Sequence, residues 1–141
     1  MEKIKKVAEN TNFTAIDASE LINSPASGEK AFLKEILKTT SMEISITELP
    51  PQTEIPFFHT HNKNEEVYVI LSGEGKFQVD EEYFEISQGS IVRVAPAGKR
   101  NMINTSDENM LYIVIQAKEG SLEEYTGTDG NIFEQIPMWN K

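Results

Sequence analysis

His59-Thr60-His61-Asn62-Lys63-Asn64-Glu65-Glu66-Val67-Tyr68-Val69-Ile70-Leu71-Ser72-Gly73 is the stretch on which the reading of this chain turns. His59 and His61 are the only two histidines among 141 residues. On a strand, side chains two apart share a face, so the two imidazoles project together. The polar turn Asn62 to Asn64 follows, and the next strand opens with Glu65 and Glu66. Two imidazoles and one carboxylate make a site suited to a divalent Zn, Fe, Mn, Ni or Cu ion. Periodicity leaves the choice of glutamate open, because Val67 to Leu71 is apolar on both faces.

Short strand patterns surround this stretch. Met42, Ile44 and Ile46 alternate with polar residues until Pro50 and Pro51 stop the run. Further strands are expected at residues 56–61, 66–71, 76–80, 83–86, 91–95, 99–104 and 110–117, separated by turn residues such as Ser72-Gly73 and Gln88-Gly89. Many short strands without intervening helices indicate an all-β sandwich or barrel. Residues 1–30 read as a polar N-terminal extension, with a loop at Ser24-Pro25-Ala26-Ser27-Gly28. Ala31 to Leu37 fits a short helix or a strand equally well. Residues 121–141 are expected to form a C-terminal hairpin or extended arm belonging to the same single domain.

Composition narrows the function classes. A net charge of −10 argues against a nucleic-acid partner, because phosphate binding needs a basic face. The absence of cysteine excludes disulfides, a thiolate nucleophile and thiolate zinc ligation. The polar first ten residues do not read as a secretory signal, and no run is long and apolar enough for a membrane span. A cytoplasmic location and no membrane partner are therefore expected.

The order His59-x-His61-x4-Glu66-x6-Gly73 resembles the first motif of the cupins, G-x5-H-x-H-x(3,4)-E-x6-G, with Thr53 at the leading glycine. The gap to Gly73 selects Glu66 over Glu65. The second motif, G-x5-P-x-G-x2-H-x3-N, is partial. Without a gap, Gly89 and Asn104 match and Arg100 stands where the histidine belongs; anchored on Pro96-Ala97-Gly98, Asn101 stands there instead. The resemblance runs from about residue 42 to 117. It implies a jelly-roll barrel, the double-stranded β-helix, over residues 31–120, little helix, and a site inside the barrel. It also implies a small-molecule ligand, a homodimer and, for an enzyme, metal-assisted isomerisation or dioxygenation.

Arg100 cannot ligate a metal, since a guanidinium is permanently protonated. Two arrangements stay open. In one, His59, His61 and Glu66 hold an ion, and Arg100 or Asn101 meets a small polar or anionic ligand. In the other, Arg100 pairs with Glu66 in a metal-free binding or sensory pocket. Tyr68 and Phe57 share by alternation the face of Glu66 and His59 and are expected to shape the pocket. Of the neighbours Arg100 and Asn101, only one can face inward on a regular strand. Arg93 is expected at the surface. Tyr112 and Gln116 share a parity whose direction the sequence leaves open.

Overall fold

The computed structural model describes residues 3–23 and 28–140. It opens with β1 (Lys5–Asn10), β2 (Phe13–Asp17), α1 (Ser19–Asn23), β3 (Lys30–Phe32) and α2 (Lys34–Leu37). Then come β4 (Glu43–Leu49), β5 (Asn64–Ser72), β6 (Glu74–Val79), β7 (Glu82–Ser87), β8 (Ile91–Val94), β9 (Arg100–Asn104) and β10 (Met110–Lys118). One turn of helix, α3 (Thr126–Asp129), and a 3-10 turn at Met138–Asn140 end the series.

A five-stranded sheet in the order β3-β4-β10-β5-β8 faces a three-stranded sheet in the order β7-β6-β9. All the pairings are antiparallel. This is the expected all-β jelly roll. Alternation decides what lies between the sheets. Tyr68 and Ile70 of β5, Phe77 of β6, Val94 of β8, Met102 of β9 and Tyr112 of β10 interlock as one core. Phe77 meets the Tyr68 ring edge-on at 4.9 Å, and Tyr68 stacks on Tyr112 at 6.2 Å. Tyr112 thus resolves its parity: it faces inward.

Several sequence expectations need correction. The polar N-terminal extension carries the β1–β2 hairpin and α1, and it helps to build a second core on the outer face of the larger sheet. Ile4, Leu21, Leu33, Ile46 and Leu111 are buried there. Isolated apolar residues in a polar segment sufficed, because β4 and β10 present apolar residues on both faces. The loop at 24–27 lies outside the described residues. The ambiguous stretch is both things in turn, β3 followed by α2. No strand forms at 56–61; single bridges, Glu54 to Ile103 and His59 to Arg100, hold that segment. Pro56 lacks the N–H group that a continuous ladder requires at its position. Among the described residues, the C-terminal segment carries one helical turn and a 3-10 turn and no strand.

Gly73 turns the chain between β5 and β6 with φ of +95°, and a Cβ there would lie 2.9 Å from Met110 Cα. Both the left-handed backbone and the close approach demand glycine. Gly73→Ala is expected to lower stability by about 2–3 kcal/mol, read as a lower urea midpoint at unchanged slope.

Candidate functional site

Arg100 begins β9, and its parity with Met102 and Asn104 points it into the barrel. Only 1% of the residue is exposed. Its Nη1 donates to Glu66 Oε1 at 2.7 Å. Its Nε donates to Gly98 O at 3.1 Å, and its Nη2 to Ala95 O at 2.9 Å and Gly98 O at 2.9 Å, with Pro96 O at 3.2 Å. The turn at 95–98 therefore wraps its carbonyls around the guanidinium. A rigid fork with five N–H groups can use that many acceptors, whereas an imidazole could not.

Glu66 receives a second bond on the same oxygen, from Tyr68 Oη to Oε1 at 2.8 Å. Burial alone would raise its carboxyl pKa. The hydrogen bonds from Tyr68 and Arg100 outweigh that burial and hold it below the usual carboxylate value. The Tyr68 hydroxyl moves the other way, pushed up by burial and by the adjacent Glu66 charge. Tyr112 is pushed up to about 12, chiefly by burial. Both phenols stay protonated near neutral pH.

With Oε1 doubly bonded, Oε2 is left to face His61. His61 Nε2 lies 3.2 Å from Oε2, and His59 Nε2 lies 3.6 Å from Oε1. The imidazoles meet edge-on, centroids 5.1 Å apart. Backbone bonds hold both: His59 exchanges two with Arg100, and His61 N donates to Pro96 O at 2.9 Å. Convergence on one face thus survives without a regular strand. Burial lowers the His59 pKa, opposed by the Glu66 charge and reinforced by Arg100 and His61. His61 Nε2 is buried and has no hydrogen-bond partner.

Among the described residues, His59, His61 and Glu66 form one group whose ligand atoms lie within 4.8 Å of one another. Metal bonds of 2.0–2.2 Å at tetrahedral or octahedral angles space neighbouring ligand atoms roughly 2.8–3.6 Å apart. The His61–Glu66 separation falls in that range. The buried, unbonded His61 nitrogen and the free Glu66 oxygen beside it fit a divalent ion. The hydrogen bonds to the other oxygen are the outer support that ligating carboxylates commonly have. The side chains of His59 and His61 are 36% and 27% exposed, so the group opens to solvent.

The remaining candidates are spread around this centre. Tyr68 joins it as a donor to Glu66, a bond that alternation could not reveal. Phe57 is largely exposed and meets the His59 ring edge-on at 6.1 Å, at the rim. Asn101 faces away from the barrel and borders a shallow outer pocket with Lys76 and Tyr83. Arg93 is exposed, as expected. Gln116 accepts a bond from Asn64 Nδ2 at 2.9 Å. Asn104, the matching asparagine of the partial second motif, is structural: its amide donates to the carbonyls of Leu49, Pro50 and Glu108, while Oδ1 accepts from Ser106.

Removing Arg100 leaves a buried carboxylate short of its countercharge. Arg100→Met is expected to cost about 3–5 kcal/mol in chemical denaturation. Arg100→Lys falls between, since a point charge cannot reach the three carbonyls at once. A loss below about 1 kcal/mol for Arg100→Met would deny the pair its structural role.

Comparison with known proteins identifies the fold and the family. A family model described as a cupin domain matches residues 45–116. No curated protein sequence matches the chain. Among solved structures, a cupin protein from Bacteroides fragilis is 38% identical with a TM-score of 0.77, covering 89% of this chain and 100% of that one. A cupin 2 conserved barrel domain protein from Salinispora arenicola shares 15% identity at a TM-score of 0.58, over 65% of this chain and 76% of that one. A cupin-superfamily sugar phosphate isomerase from Silicibacter pomeroyi shares 14% at 0.57, over 63% and 58%. The latter two show a shared fold. No helix of the described residues is long and apolar enough to cross a membrane. With its matched domain, its jelly roll and its His-His-Glu group inside the barrel, the chain belongs to the cupin family.

Proposed function

We propose that this cupin binds a small polar or anionic molecule in its barrel mouth, over one divalent ion held by His59, His61 and Glu66. The observation that carries this reading is the buried His61 Nε2, unbonded and 3.2 Å from the free oxygen of Glu66. Such an ion supplies Lewis acidity, polarising a ligand oxygen. The protein's own residues do the rest. Arg100 and Tyr68 fix the Glu66 carboxylate on Oε1 and keep it ionised. Burial lowers the His59 pKa and so favours the neutral imidazole with its lone pair available. With only three protein donors, the shell retains room for water or a ligand, as in sites that act on bound molecules.

Arg100 acts through Glu66 in this reading. Its N–H groups are engaged with Glu66 and the 95–98 carbonyls, so a bound anion is met at the histidine side, with Phe57 at the rim. A second reading draws on one observation, the 2.7 Å Arg100–Glu66 contact. That buried pair cancels the carboxylate charge and suits a metal-free binding or sensory pocket.

Metal analysis of protein purified without added metal or chelator separates the two. The proposal expects about one divalent ion per chain, retained by Phe57→Ala and lost in His61→Ala and in Glu66→Gln. Protein that stays metal-free after incubation with Zn, Mn, Fe, Ni and Cu in turn supports the second reading and sinks the first.

A further inference from the structure

From Leu122 onward the chain leaves the barrel as an arm rich in large apolar residues. Ile132, Phe133 and Trp139 are 99%, 82% and 86% exposed, and Ile136 and Met138 are also mostly bare. A solvated tail has the opposite composition, few aromatic and branched residues. Together these side chains present on the order of 800–1,000 Å² of bare surface, at roughly 150–250 Å² per aromatic. Single-copy proteins seldom expose contiguous apolar patches beyond a few hundred Å². Among the described residues, the hydrogen bonds beyond Ser121 are local: Thr128 to Tyr125, Gly130 to Thr126 and Asn140 to Pro137.

An apolar cleft of about 820 Å³ lies where the arm departs. Its floor is the outer face of β5 and β10, with Val67, Ile115 and Ala117, flanked by Met42 and by Leu122 at the arm's root. Lys34 and Lys118 stand at its edge beside Glu43 and Glu65. Residues 121–140 carry four acidic groups (Glu123, Glu124, Asp129 and Glu134) and no basic one. The seventeen residues from 123 to 139 can reach roughly 55 Å when extended, enough to cross a neighbouring barrel. Because the arm starts beside this cleft, two copies brought together there about a two-fold axis can each lay an arm on the other, a self-complementary exchange.

We infer that the arm of residues 123–139 docks in the cleft over Val67, Ile115 and Ala117 of a second copy of this chain, so that the two copies exchange arms. Two exchanged arms bury area on the scale of a standard stable interface, about 800 Å² per partner.

The single tryptophan, Trp139, reports the arm directly. Full-length protein at tens of micromolar is examined by sedimentation velocity, with Trp139 emission and acrylamide quenching read on the same samples. The expected result is a mass of two chains with a blue-shifted, shielded Trp139. Phe133→Asp and Ala117→Arg each weaken the association at least about 30-fold, as loss of an interface anchor does, and expose Trp139. Phe133 is exposed, so its variant tests docking without disturbing the fold; melting curves check Ala117→Arg. One chain with an exposed Trp139 overturns the inference, as does one chain with a shielded Trp139, which places the arm on its own barrel. Two chains with an exposed Trp139 assign the interface to another surface. A shielded dimer indifferent to a folded Ala117→Arg puts the arm outside this cleft.

Discussion

The site depends on one buried residue, Arg100, whose side chain and backbone hold opposite walls of the barrel mouth. The guanidinium grips Glu66 on β5, while the backbone N–H and carbonyl pair with those of His59. Burying a guanidinium and a carboxylate is expensive, and their attraction offsets that cost only when the remaining N–H groups find acceptors. The carbonyls of Ala95, Pro96 and Gly98 provide them. The 95–98 turn therefore serves the arginine directly, and through His61 N to Pro96 O it serves the second histidine too. Breaking this node would release the carboxylate and the segment carrying both imidazoles together.

Position matters as much as charge. Arg100 and Tyr68 both bond Oε1 of Glu66, leaving Oε2 to face the His61 imidazole. A histidine in place of Arg100 would add a ligand; the arginine instead orients one. The consequence is a three-donor centre whose carboxylate charge is largely balanced by Arg100, which lowers its attraction for a dication relative to an unpaired carboxylate. Beneath it, the stacked rings of Tyr68 and Tyr112 and the edge of Phe77 fix Tyr68 and hence its hydroxyl. The core thus reaches the chemistry through a single aromatic side chain.

Much of the barrel was legible because alternation, turn glycines and proline stops act locally. The β5 to β10 strands follow them within a residue or two. Glu66 was singled out by the resemblance to the first cupin motif, whose closing glycine, Gly73, is pinned by its positive φ and by Met110. What escaped reading was non-local. The second core depends on Ile4 and Leu21 meeting a sheet far along the chain, and nothing in a polar segment announces that. The histidine segment lacks a strand because its register comes from bridges to Arg100 and Ile103, not from its own pattern. Arg100 itself was visible only as a substitution in a partial motif. Whether it faced the ligand or Glu66 turned on the path of the 95–98 turn, which no periodicity encodes.

The central claim is that Arg100 orients Glu66 for a metal instead of replacing one. Anomalous scattering from crystals loaded with Mn or Zn, collected at the metal's absorption edge, tests it directly. The account predicts one peak bounded by His59 Nε2, His61 Nε2 and Glu66 Oε2, with Arg100 still bonded to Oε1. A peak absent from this position, or one that forms only after Arg100 has left Glu66, would contradict it.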